Sequence, residues 1–80
     1  MVKYVKSSKS NLRYYVTDHN LIPLRAQPAE GYTKLEAIER AQREVDECVR
    51  LFGGKPSDHT GAFHIVDSNF HYCEELDSAI

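Results

Sequence analysis

The residues with the widest chemical reach lie in the last third of the chain. His64, His71 and Cys73 are placed on one face of a hairpin if its loop is of even length. Imidazole and thiolate are zinc ligands, and three of them plus a water form a catalytic pattern. The spacing lacks C-x-x-C and H-x-x-x-H, and a fourth ligand has to come from elsewhere; His19 and His59 lie in loops and are not assigned. A half-exposed sheet face carries polar residues in any case, so no metal is assigned and His64, His71 and Cys73 stand only as candidates. Cys73 with His64 or His71 is also a Cys/His pair. Such a pair needs a lowered thiol pKa and an oxyanion hole, and neither a helix N-terminus nor a glycine-rich turn is at hand. Glu74, Glu75 and Asp77 form an acidic cluster, but neighbours on a strand point to opposite faces, and charge at an edge strand blocks sheet extension. No catalytic residue and no cofactor is assigned.

There is no P-loop and no G-x-G-x-x-G. Tyr15 flanked by Arg13 and Arg25, with Lys3, offers an aromatic and cations on a sheet, the arrangement on which single-stranded bases stack. A formal net charge of −2 supplies no basic surplus for it. The same face carries Tyr15, Leu21, Pro23 and Val66, with Val5 a further candidate. Tyr and Arg are frequent anchors of protein interfaces, and an edge strand can pair with another chain. By elimination, protein contact leads.

The element that must position these residues is Tyr32–Gly54. Leu35, Ile38, Ala41, Val45, Cys48, Val49 and Phe52 recur at steps of three and four, one face of a helix. The spacing predicts a helix over 33–53. Thr33 and Glu36 form a capping box, Tyr32 can staple onto Ala37, and Gly53-Gly54 supplies the stop. Opposite charges at i,i+4 predict the pairs Glu36–Arg40, Glu39–Arg43, Arg43–Glu47 and Asp46–Arg50 on a solvated outer face.

Strands are expected at residues 1–7, 12–17, 21–26, 63–66 and 70–76. Asp18-His19-Asn20 reads as a three-residue loop with Asn20 left-handed, which puts Val16 with Leu24 on one face and Thr17 with Pro23 on the other. Asp67-Ser68-Asn69 marks the turn of a second hairpin, and an even loop there puts Phe63, Ile65, Phe70 and Tyr72 on one face and His64, Val66, His71 and Cys73 on the other. The stretches YYVTDHNLIPL and FHIVDSNFHYC read alike. Shared turn chemistry accounts for that likeness, since only the first copy is followed by an expected helix.

The resulting order is β-β-β-α-β-β, a single α+β domain over 1–80: a five-stranded, mainly antiparallel sheet with one long amphipathic helix on one face and a frayed tail at 77–80. A chain this short buries only about 60% of its unfolded surface, so dimerisation is an open route to stability. There is no run of about 20 apolar residues, no apolar signal core, and the two cysteines make no disulfide framework, which points to the cytoplasm. The expected function is non-enzymatic contact with a protein partner or a second copy, through the helix-free face or an edge. Arg13, Tyr15, Leu21, Pro23 and Arg25 would make the contact, with His64, Val66 and His71 adjoining. Nucleic-acid binding by the same face is the alternative, and an accessory or inhibitor role of a mobile element, or an uncharacterised enzyme, comes behind it.

Overall fold

The computed structural model describes residues 12–80. Its architecture is α+β: strand β1 (Tyr14–Asp18), helix α1 (Lys34–Phe52), strand β2 (Phe63–Asp67) and a one-turn helix α2 (Glu74–Asp77). Two short 3₁₀ turns, Pro56–Asp58 and Thr60–Ala62, bridge α1 to β2. The two strands pair antiparallel, with Val16 opposite Ile65 at the centre, and α1 packs across one face. No helix among the described residues is long and apolar enough to cross a membrane.

Among the described residues the sheet is two-stranded, not the expected five-stranded. The strand expected at 1–7 lies outside the described residues. Those expected at 21–26 and 70–76 each shrink to one bridge, Thr17 to Pro23 and Val66 to Tyr72. The physical causes are local. Pro23 cannot donate to a ladder. Ala26 takes a positive φ of 62°, which turns the first arm away. The second arm runs directly into α2, with Leu76 buried in the core. The tail is tied back: Ile80 packs against the core, and the Gln42 side-chain amide donates to the Ala79 carbonyl at 3.3 Å.

Helix α1 begins and ends where its signals lie. The Thr33 hydroxyl accepts from the Glu36 N–H, and the Glu36 carboxylate accepts from the Thr33 N–H. Gly53 closes the helix with φ at 82°, its N–H donating to the Val49 carbonyl. The buried stripe is narrower than its periodicity predicts. Ala37, Ala41 and Val45 are buried, with Ile38 and Cys48 partly so, whereas Leu35, Leu51 and Phe52 are exposed. Small side chains at Ala37 and Ala41 let the helix lie close on Val16 and Ile65, and a two-stranded sheet is too small to cover the helix ends.

The ion pairs also differ from expectation. Arg40 pairs with Glu44 at 2.8 Å and Arg50 with Glu47. Glu36 is committed to the capping box. The Arg40 guanidinium also donates to the Arg25 and Ala26 carbonyls and to the Tyr32 hydroxyl, fastening the first arm to the helix.

Candidate binding face

The sheet face opposite α1, helix-free among the described residues, is built by two copies of one local device. Asp18 and Asp67 each close a loop in the same way. The Asp18 Oδ1 accepts from the N–H of Asn20 and Ile22, and the Asp67 Oδ1 from that of Asn69 and His71, all at 2.8–3.0 Å. The backbone pairs Asp18 with Ile22 and Asp67 with His71, leaving three residues in each loop. The third of these is left-handed: Leu21 at φ 64° and Phe70 at φ 63°. The left-handed residue is therefore not Asn20, and the second loop is odd rather than even. Tyr72 consequently joins Val66 on the helix-free face, while Cys73 turns to the core, its N–H on the Ile65 carbonyl at 2.9 Å. The faces of the first hairpin fall as its alternation predicts, with Leu24 toward the core and Pro23 beside Thr17.

The copies match position for position from Tyr14–Leu24 to Phe63–Cys73. Val16 pairs with its own counterpart Ile65, so a local two-fold axis passes through the sheet between them. Both copies lead into a helix, since α2 follows the second as α1 follows the first. The likeness of the two stretches thus extends to bonding, strain and connection.

Both outer edges of the sheet are closed. On β1, Tyr14 exchanges backbone bonds with Tyr32, and the Val16 carbonyl accepts from Leu24. The Gln27 side-chain amide acts as a substitute peptide: its Oε1 accepts from the Val16 N–H at 2.8 Å, and its Nε2 donates to the Val16 and Leu24 carbonyls. On β2 the Ile65 N–H, the counterpart donor, is taken by Asp77 Oδ1 at 2.9 Å. These groups are therefore not free to pair with an added strand.

Two cross-strand rows define the face, Pro23–Thr17–His64 and Tyr15–Val66–Tyr72. At its centre Thr17 and Val66 are fully buried, so Val66 offers no surface. Around them stand half-buried Tyr15 and His64 and the exposed Phe70 and Tyr72. The Tyr15 and Phe70 rings lie 6.0 Å apart, and His64 and Tyr72 meet edge to face at 5.4 Å. The Tyr15 hydroxyl donates to the Ala29 carbonyl at 2.7 Å. Leu21 and Phe70 project at opposite ends of the sheet. Arg13 borders the Tyr15 end, with its Cβ against Gly31. Arg25 lies exposed on the first arm, and His71 stands in solvent, 3.9 Å from Asp67.

Asp77 is the polar centre of the second copy. Besides the Ile65 N–H, its carboxylate meets His64 Nδ1 at 2.8 Å and accepts from the Tyr72 hydroxyl at 2.9 Å. The Tyr72 phenol is pushed up, first by that bond and then by desolvation and the charges of Asp77 and Glu74. Burial, with the charges of Asp67 and Asp77, pushes the Cys73 thiol up, the reverse of what an attacking thiolate needs. Cys48 and Cys73 are both free thiols. Among the described residues no group of three or more His, Cys, Asp or Glu is placed to hold a metal ion, so His64, His71 and Cys73 do not converge. Sequence reasoning took Asp77 only as part of an acidic end, and it missed Gln27 and Phe70. The second Asp-x-Asn motif was the signal available for Phe70, since it copies the first.

The chain matches no protein-family model, no curated protein and no solved structure.

Proposed function

We propose that this protein is a non-enzymatic binding protein that contacts a protein partner through the helix-free sheet face. One observation carries the reading. Aromatic rings of Tyr15, Phe70 and Tyr72 surround a filled, dry centre, and two bulky apolar residues, Leu21 and Phe70, are held left-handed and exposed at the loop tips. That conformation costs a side-chain-bearing residue on the order of 1–2 kcal/mol and concentrates at functional sites. Aromatic side chains on a rigid platform are the usual anchors of an interface. The closed strand edges favour the face over edge-to-edge pairing as the route of contact. The nucleic-acid alternative has less support, because residues 56–80 contain five acidic residues and no Lys or Arg.

The test is photo-crosslinking in expressing cells, with a photoreactive residue at position 70 and, as control, at Glu39 on the outer face of α1. A discrete adduct from position 70 alone is expected. Replacing Arg13 and Tyr15 together by Ala should remove it while the helical circular dichroism persists. An adduct of twice the chain mass identifies a second copy as the partner. Equal adducts from both positions, or an adduct that survives the double replacement, would show that the wrong face has been assigned.

A further inference from the structure

Resting on that reading, we infer that the Phe70–Tyr72 end of the helix-free face takes a basic segment of the partner protein, with Lys or Arg side chains set over the aromatic rings. The argument is charge complementarity at an aromatic surface. Phe70 and Tyr72 are each about half exposed, at 50% and 51%. Their surroundings are acidic from two elements. Asp67 closes the loop that carries Phe70, and Asp77 and Glu74 of α2 both act on the Tyr72 hydroxyl. Glu75 is exposed beside them. The cation at this end is Arg13, which precedes Tyr14, the strand partner of Asp67, and has its Cβ against Gly31. Within residues 63–80 there are four acids and no Lys or Arg.

Two features make this more than an acidic cluster. The first is the rings themselves: an aromatic face attracts a cation within about 6 Å of its centroid, more strongly where water is excluded. Tyr15 and Phe70 stand as neighbouring rings at 6.0 Å and a 35° tilt, so a guanidinium plane can lie on one of them. The second is the comparison with the first copy. There the aliphatic Leu21 and Pro23 stand at the positions of Phe70 and Tyr72, Asp18 matches Asp67, and the neutral Gln27 takes the strand N–H that Asp77 takes in the second copy. The same scaffold thus carries an apolar end and an aromatic, acidic end. That polarity suits an extended partner whose basic part lies on the second copy and whose aliphatic part lies on the first.

The experiment is an anisotropy titration of the intact protein with three labelled peptides, alternating Arg with Leu, Ser with Leu and Glu with Leu. The Arg peptide is expected to bind best, at least about tenfold tighter than the Ser peptide, with affinity falling as salt is raised. Phe70→Ala and Tyr72→Ala should each weaken it by about tenfold, as loss of an anchor does. Glu74→Gln with Glu75→Gln should weaken it too. Glu39→Gln with Asp46→Asn, an equal loss of charge on the outer face of α1, should leave it unchanged. Equal weakening by the α1 variant would reduce the binding to net charge and overturn the inference. Tyr72-dependent binding of the Ser or Glu peptide in preference would overturn the basic chemistry while keeping the binding face. Failure of all three peptides, with circular dichroism intact, would overturn the inference, and the crosslinking experiment would then judge the face separately.

Discussion

The two halves of the sheet are the same device finished in two ways. In the first copy, the outward donor at the strand centre, the Val16 N–H, is taken by the neutral Gln27 amide, and the arm is fastened to α1 by Arg40. In the second, the equivalent Ile65 N–H is taken by the charged Asp77, which also holds His64 and Tyr72. Equal backbone geometry therefore does not mean equal chemistry. The first copy joins the sheet to the long helix, whereas the second places charge and aromatic surface together.

The comparison breaks most sharply at Asp77. Asp77→Ala strands the half-buried His64 and the Ile65 N–H in one step, and charged hydrogen bonds of this kind are worth about 1.5–3 kcal/mol. A loss of roughly 2–4 kcal/mol in urea unfolding is expected. Gln27→Ala, the matching change in the first copy, removes neutral bonds and should cost about 1–2 kcal/mol. Equal losses would mean that the charge on Asp77 adds nothing and that the two closures are interchangeable.

Gly31 sharpens the difference from the other side. It lies in the extension by which Tyr32 pairs with Tyr14, at φ 90°, and a Cβ there would stand 2.8 Å from the Arg13 Cβ. Gly31→Ala adds both backbone strain and a clash, so a loss of about 2 kcal/mol is expected in the same assay. A near-neutral result would show that the extension is dispensable to the first copy.

The two loop aspartates should behave alike, and acid tests that. Asp18 and Asp67 are both held below the ordinary value of 3.8, chiefly by the backbone N–H of Ile22 and of His71 respectively. A carboxyl lowered in the folded state contributes stability that is present above the unfolded pKa and lost as pH falls through the folded one. Stability should therefore decline below about pH 4. Asp18→Asn and Asp67→Asn keep an acceptor oxygen but do not titrate, so each should flatten that decline by a similar amount in acid unfolding curves. A decline untouched by either would place the acid sensitivity elsewhere.

Local signals were legible in the sequence where the chemistry is local. Thr33, Glu36 and Gly53 bracket α1 because caps depend on residues a few positions apart. The first hairpin's faces followed from alternation. What was not legible depends on distant groups. Nothing near Gln27 says that its amide will stand in for a strand, and nothing near Asp77 says that three donors will converge on it. The exposed Leu35 and Phe52 obey helical periodicity, yet their burial depends on how wide the sheet is. The sheet's width was itself misjudged, because one bridge beside Pro23 and one beside Tyr72 read in sequence like full strands. The second loop was the avoidable error, since the repeated Asp-x-Asn already implied the same odd loop.

The smallest effect is the most discriminating. Leu21→Gly and Phe70→Gly place the residue that best tolerates positive φ at both tips, relieving strain of about 1–2 kcal/mol each while raising the entropy of the unfolded chain by an amount that offsets much of it. If the copies were energetically equal, both changes would shift stability alike. Phe70, however, also touches the Tyr15 ring, and such pairs contribute about 0.5–1.5 kcal/mol. Leu21→Gly is therefore expected to be neutral or slightly stabilising, and Phe70→Gly slightly destabilising. In a Tyr15→Ala background the gap should close, because the ring contact is then already gone. If the gap persists there, Phe70 is held by something other than Tyr15, and the second tip is stabilised within the fold rather than kept exposed for a partner.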